Sequence, residues 1–344
     1  MRPIAIFVVA TIAMAVAAVS GAESRPELIS EQLSGDFVGA FHYRRDAAPN
    51  TGILMLGGAE GGLPGNMAEW LASEGYPVLA LAYFKAEGLP GTLAMIPLEY
   101  FDAPVKWLRD NPKVLSGRIV VFGGSKGAEL ALLLASRDKR ISAVVAMAPS
   151  SVVWQSIPDP SDYSTILTPR SSWSADGKGV PFVPYDYAKG FDPQDLLALY
   201  TQSLSQKDKV LEATIPVENI NGPILLFSGK DDKMWPGTRM ADAITGRLKD
   251  KHFPYAFQHI AYEDAGHVFS PDWTVLGGTK RGNAAAEADF SKRLKAFLES
   301  LAKQKGTDIP AVDKGKAGAP PAAKRGGKEP SKPSVATPTA QKNK

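Results

Sequence analysis

The chain has 344 residues, 44% of them hydrophobic, with 39 Lys and Arg against 36 Asp and Glu, no Cys and four His. That length supplies one large domain or two ordinary ones, with ample apolar material for a core. The missing Cys excludes a disulfide scaffold, a Cys nucleophile, Cys-ligated zinc and iron–sulfur clusters, and the near-even charge argues against a dedicated nucleic-acid binder.

The charge is uneven along the chain, and its two ends read differently from its body. Residues 1–22 carry one charged side chain, Arg2, followed by an uncharged, mostly apolar run from Ile4 to Val19 and the small residues Ser20, Gly21 and Ala22. A short positive end, an apolar stretch and a small-residue exit are the parts of a secretory leader, so a signal peptide is expected over 1–22, cut after Ala22. The apolar run is shorter than the roughly 20 residues that span a bilayer. The mature protein is therefore expected outside the cytoplasm, secreted or periplasmic, with no transmembrane segment after cleavage.

From residue 50 to residue 302 short apolar segments alternate with amphipathic ones. Gly52 to Leu56 reads as a strand running into a Gly-rich loop, Leu56-Gly-Gly-Ala-Glu-Gly-Gly62. That loop lacks the spacing of a dinucleotide fingerprint and the Gly-Lys-Ser/Thr of a P-loop. A helix is expected over 66–75, a strand over 77–83 and a helix over 98–110 with one Pro inside. A strand over 118–122 runs straight into Gly123-Gly124-Ser125-Lys126-Gly127, and a helix follows over 128–136. Strand–GxSxG–helix is the setting of a nucleophile elbow, where Gly on both sides leaves room for a tight turn. Ser125 is the candidate nucleophile, and the Lys126 N–H at the helix start is a candidate oxyanion donor. The plainer alternative is a Gly-rich turn with Ser125 as a helix cap. The second oxyanion donor is expected in the early Gly-rich loop, at Ala59.

After a strand over 141–148, regular alternation stops. Residues 151–222 hold Trp154, Tyr163, Trp173, Phe182, Tyr185, Tyr187, Phe191 and Tyr200, and the stretch exceeds an ordinary connection. Two readings stand: a cap-like insertion shaping an apolar pocket over the strand ends, or a segment whose aromatics pack its own small core. Residues 223–227 resume the strands and lead into Gly229-Lys-Asp-Asp-Lys-Met-Trp-Pro236. A carboxylate past a strand end can orient a His in the next loop, so Asp232, with Asp231 as its rival, is the candidate acid. A cation bound by the Asp pair would need further oxygen ligands that no nearby spacing supplies, so no metal is expected. Further on come a helix over 238–249, a strand around 255–262 and a final helix over 284–302. His252 falls at a helix end as a surface cation, and His259 lies inside a strand as a packing residue. His267 follows that strand in a loop beside Gly266, which suits a general base. Strands apolar throughout, alternating with helices, point to a doubly wound, mostly parallel α/β sheet with helices on both faces. Chemistry in such sheets sits at the carboxyl ends of the strands.

Ile96-Pro-Leu-Glu-Tyr-Phe-Asp102, Gly124-Ser-Lys-Gly-Ala-Glu-Leu-Ala-Leu132, Gly229 to Pro236 and Gly277-Gly-Thr-Lys-Arg-Gly-Asn-Ala-Ala-Ala286 resemble the acyl-CoA thioester hydrolase / bile acid-CoA:amino acid N-acyltransferase C-terminal domain family. The resemblance covers about residues 35–302. It implies an α/β-hydrolase fold with Ser125 as nucleophile, Asp232 as acid and His267 as base. In that family Cys at the nucleophile accompanies acyl transfer and Ser accompanies hydrolysis, so Ser125 implies a hydrolase. Full-length members carry a β-rich domain ahead of this one, and about 12 residues precede the first family-like position here after the expected cleavage.

The expectation is a serine hydrolase of small acyl esters or thioesters, working through an acyl-enzyme without cofactor or nucleic acid. CoA itself does not carry over, because export would take the enzyme away from cytoplasmic CoA thioesters. A dienelactone-type hydrolase or peptidase on the same fold is the alternative. A non-catalytic binding protein of that fold is the alternative from another class. Residues 303–344 hold ten Lys or Arg and three Asp or Glu, with long Pro-, Gly- and Ala-rich stretches. That composition reads as a disordered, basic tail, either expendable or touching anionic envelope polymers. The body, residues 23–302, is left with a net charge of −5.

Overall fold

Short apolar runs in this chain become strands whose alternate residues enter two different cores. The computed structural model describes residues 5–7, 27–157, 167–187, 192 and 195–303. The chain divides into one unit, Met1–Ala311, and a second, Val312–Lys344, which lies outside the described residues. So do most of the expected leader, the expected tail from residue 304 on, and Tyr163 and Phe191.

Nine strands form one sheet among the described residues: β1 (Ala5–Phe7), β2 (Leu28–Ser34), β3 (Val38–Arg44), β4 (Asn50–Leu56), β5 (Val78–Ala82), β7 (Val114–Gly124), β8 (Ala143–Met147), β11 (Ile224–Gly229) and β12 (Phe257–Tyr262), in spatial order β1-β2-β3-β5-β4-β7-β8-β11-β12. From β5 to β12 every pairing is parallel; β1, β2 and β3 add an antiparallel edge. The doubly wound, mostly parallel sheet is the expected one. The β2–β3 hairpin was not expected: β2 is half-exposed and mixed in polarity, and β3, though buried from Gly39 to His42, has a His in that run.

The period of two along each strand splits the core. Leu54, Leu56, Leu79, Leu81, Val121, Val144 and Leu226 face helices α2 (Asp102–Asp110), α3 (Lys126–Arg137) and α6 (Gly237–Asp250), while Ile53, Met55, Val78, Ala80, Val120, Val145 and Phe227 face α1 (Gly65–Ser73) and α7 (Lys280–Lys303). Burial on both faces is why these runs are apolar at every position rather than at alternate ones. The expected helix over 98–110 begins as a 3-10 turn, Leu98–Phe101, and Pro104 then falls in the first turn of α2. Pro is tolerated there because first-turn N–H groups have no intrahelical partner.

The insertion carries β9 (Trp173–Ala175) and β10 (Lys178–Gly179), which join β6 (Ile96–Pro97) in a small second sheet, and helices α4 (Leu196–Ser203) and α5 (Lys207–Ala213). Its aromatics divide. Trp154, Tyr185 and Tyr200 pack on one another and onto Trp235 and Met240, which lie beyond the insertion; Trp173 enters the main core beside Tyr83.

Candidate active site

Ser125 sits between β7 and α3 at φ 55° and ψ −121°, a conformation L residues rarely adopt, and its N–H is held by Met147 O at 2.9 Å. Holding a non-Gly residue there costs on the order of 1–3 kcal/mol. The flanking glycines make the turn possible: a Cβ on Gly123 would lie 2.0 Å from Gly127 O, and one on Gly127 would lie 2.4 Å from Gly57 O. Strand β7, helix α3 and the loop after β4 are thus in backbone contact, and the strained Ser is left half-exposed at the strand's carboxyl end.

Asp232 and His267 leave the same edge of the sheet, after β11 and β12, and are 5% and 4% exposed. His267 Nδ1 lies 2.8 Å from Asp232 Oδ2. The other oxygen, Asp232 Oδ1, accepts the N–H groups of Met234 (2.7 Å) and Trp235 (3.1 Å), so the carboxylate is fixed from behind. Asp231 turns elsewhere: it accepts Gly278 N–H at 2.9 Å and pairs with Lys233, whose ammonium holds its carboxyl below the usual range. His267 Nε2 is buried and has no partner among the described residues, Ser125 Oγ included. The structure therefore brings Asp232 and His267 into contact and sets Ser125 on the same edge without a direct bond.

The loop after β4 borders the elbow. A Cβ on Gly58 would lie 3.4 Å from both Ser125 Cβ and Gly124 O. Gly58 N–H is already given to Glu60 Oε1 at 2.7 Å, and Tyr83 Oη donates to Gly57 O at 2.6 Å. The Ala59 N–H, next along the turn, is given to none of the described residues, and the same holds for Glu60 and Gly61. Lys126, at the start of α3, has an N–H free for the usual helical reason.

The remaining His residues separate cleanly. His252 is exposed just past α6. His259 does more than pack: Nε2 is 2.8 Å from Ser228 Oγ and Nδ1 is 3.0 Å from Asp242 Oδ1. This second Ser-His-Asp string lacks the features of a site. Ser228 is wholly buried inside β11, and its hydroxyl is shared with Thr238 at 2.8 Å. The string ties α6 to two strands. His42 is buried in β3, and burial lowers its pKa. Among the described residues no three His, Asp or Glu converge as a metal site would need, and no helix is long and apolar enough to cross a membrane.

Three residues beside this site were not picked out from the sequence. Trp235 lies edge-on to His267, ring centroids 5.6 Å apart. Glu60 braces the turn at Ala59. Asn283, fully buried on α7, accepts Gly266 N–H at 2.9 Å and donates to Ser270 O and Gly277 O, so it holds the loop that carries His267. Gly277, at φ 101°, would put a Cβ 1.8 Å from Asp231 O. The family-like segment at 277–286 is thus the clamp of the Asp and His loops; its Gly-Gly pair and Asn283 were the available signal. Asn283→Ala strands the buried Gly266 N–H and is expected to destabilise the fold by about 1–3 kcal/mol. A denaturant midpoint measured on the purified variant checks this.

The sequence profile described as BAAT / Acyl-CoA thioester hydrolase C terminal matches residues 96–280. Acyl-coenzyme A thioesterase 5 of Mus musculus is 31% identical over 266 residues, covering 73% of this chain and 60% of its own length. Acyl-coenzyme A amino acid N-acyltransferase 2 of Mus musculus is 28% identical over 301 residues, covering 83% of this chain and 68% of its own. The chain spans about 60% of the length of the thioesterase relatives it matches. Among solved structures, a Mycobacterium tuberculosis puromycin-hydrolyzing peptidase aligns with a TM-score of 0.50 at 13% identity, over 84% of this chain and 41% of its own. A Klebsiella pneumoniae protein assigned to the dienelactone hydrolases aligns with a TM-score of 0.50 at 13% identity, over 79% of this chain and 99% of its own. At that identity the likeness concerns the α/β-hydrolase fold alone.

Proposed function

The chain belongs to the BAAT / acyl-CoA thioester hydrolase C-terminal family, and from that premise we propose that it is a serine hydrolase of acyl thioesters and esters. The observation that carries the reading is the Asp232–His267 hydrogen bond of 2.8 Å, with a buried Nε2 left unpartnered on the sheet edge that presents Ser125. Ser125 Oγ attacks the acyl carbonyl as His267 Nε2 takes its proton, and Asp232 holds the ring and stabilises the imidazolium. The developing oxyanion takes the N–H groups of Lys126 and Ala59. The thiol or alcohol leaves with the proton from His267. Water, deprotonated by the same imidazole, then releases the acid from the acyl-Ser125 ester. No cofactor enters these steps.

The thioesterase names of the relatives favour thioesters over plain esters as substrates, and Ser rather than Cys at position 125 favours hydrolysis over acyl transfer. The contact of Trp235 with both Tyr200 and His267 supports residues 151–222 as a cap beside the site, anchored there by aromatics that pack on one another. The leader-like composition of residues 1–22 supports export and cleavage after Ala22, in which case β1 leaves with the leader, the mature sheet begins at β2, and the substrate is met outside the cytoplasm. The test is labelling with a fluorophosphonate, followed by a panel of acyl thioesters, p-nitrophenyl esters and peptides. Labelling at Ser125 with turnover of thioesters is expected; wild-type protein that takes no label sinks the catalytic reading.

A further inference from the structure

Lys126 and Glu129 stand one turn apart on the helix that begins at the elbow, and both are buried, at 1% and 0% exposure. Lys126 Nζ donates to Glu129 Oε2 at 2.6 Å. Glu129 Oε1 accepts two further donors, both from the insertion: Trp173 Nε1 at 2.7 Å and the backbone N–H of Trp154 at 3.2 Å. Lys126 Nζ also lies 5.5 Å from the centre of the Trp173 ring. Acceptance at both oxygens suits an ionised carboxylate, which can only accept.

Stability alone is a weak account of this pair. Desolvating two charges works against the fold, and apolar residues of similar volume commonly do as well. What a carboxylate adds is direction: three donors are held at fixed places by one group. One donor belongs to the residue whose backbone N–H is a candidate oxyanion donor. The other two belong to separated points of the insertion. The chain of contacts continues, since the Trp173 ring packs against Tyr83 at 5.7 Å and Tyr83 Oη holds Gly57 O, in the turn that carries Ala59.

We propose that the Lys126–Glu129 pair and Trp173 are positioning residues that hold the two oxyanion donors, Lys126 N–H and Ala59 N–H, in register with each other and with the insertion. The proposal rests on the reading of Ser125 as nucleophile. Oxyanion donors are worth most when fixed before the charge develops, and displacements well under 1 Å are felt. The insertion and the oxyanion hole then move as one body, so a substrate seated against the insertion is presented to donors already aligned.

Glu129→Gln alone strands a buried ammonium and puts folding at risk. The decisive variant is K126M/E129Q, which keeps an acceptor for Trp154 and Trp173 and leaves no buried charge. Tyr83→Phe is the second arm; it keeps the ring against Trp173 and removes only the hydroxyl's bonds to that turn, to Gly57 O and, at 3.5 Å, to Gly58 O. Active sites are titrated with fluorophosphonate, so that rates are per competent site. For the double variant, kcat is expected to fall roughly 10- to 100-fold with KM moving little, and a trifluoromethyl ketone that forms an oxyanion adduct is expected to weaken by the same factor as kcat/KM. Tyr83→Phe should show the same split with a smaller fall. Wild-type kcat per site in the double variant overturns the proposal, even if the melting temperature drops, because that is the mark of a merely structural pair. Wild-type protein that neither labels nor turns over substrate would instead sink the parent reading, and the two failures are told apart on the unmutated enzyme.

Discussion

Ser125→Ala is expected to lower kcat for thioester hydrolysis by roughly 10⁴- to 10⁶-fold, about 5–8 kcal/mol in the barrier, with KM within a few-fold of wild type. In the proposed mechanism the hydroxyl is the atom that forms the acyl bond, so no part of its role is shared with neighbours. Residual turnover would come from the oxyanion donors and binding alone. The fold should survive, since Ala meets the same backbone penalty that Ser meets at φ 55°. Ser125→Gly sharpens the point. Gly adopts positive φ freely, so this variant should be more stable than Ser125→Ala by about 1 kcal/mol or more while equally inactive. Stopped assays together with melting curves on the three proteins check both halves. An alanine variant that retains more than about a tenth of the activity would assign the nucleophile elsewhere.

The elbow was legible because its requirements are local. Strand, turn and helix are consecutive, and the reason for Gly on either side of Ser125 is a backbone approach of 2.0–2.4 Å that no Cβ survives. The parallel strands were legible for a related reason: burial on both faces leaves only apolar residues at successive positions, as in Val78–Ala82. The β2–β3 hairpin was harder to see. Its outer strand β2 lies near the sheet edge, where Leu28, Ser30 and Glu31 meet solvent as much as core, and no uniform pattern results.

At the site, what sequence could not reach were contacts between segments distant in the chain. Nothing in the sequence sets Glu129 apart; its role depends on Trp154 and Trp173, 25 and 44 residues on, which donate to it. Asn283 likewise acts on a segment distant in the chain, Gly266, 17 residues earlier. His259 looked apolar by position in its strand, and its two hydrogen bonds depend on Asp242 from a helix and Ser228 from the neighbouring strand. The Asp pair shows the limit most plainly. Pattern and resemblance favoured Asp232 over its neighbour, but the contact itself comes from the turn between β11 and α6, which faces Asp232 to the imidazole.

That decision gives the second large effect. Asp232→Asn is expected to reduce kcat roughly 10⁴-fold, while Asp231→Asn leaves it within about threefold. In the first variant Oδ1 can go on accepting Met234 and Trp235 N–H, so the turn keeps its shape. The amide nitrogen then faces His267 Nδ1 as a donor. The ring answers by placing its own proton on Nε2, the tautomer that cannot accept from Ser125. Removing a negative charge that is 5% exposed leaves folding intact, so the loss is one of chemistry. In the second variant Asn keeps an acceptor for Gly278 N–H. What it gives up is a partly exposed ion pair with Lys233, of a kind worth about 1 kcal/mol or less. Kinetics of the two proteins side by side, with circular dichroism to confirm the fold, distinguish the roles. The reverse order of effects would move the acid to Asp231 and require the His267 loop to be rearranged in the working enzyme.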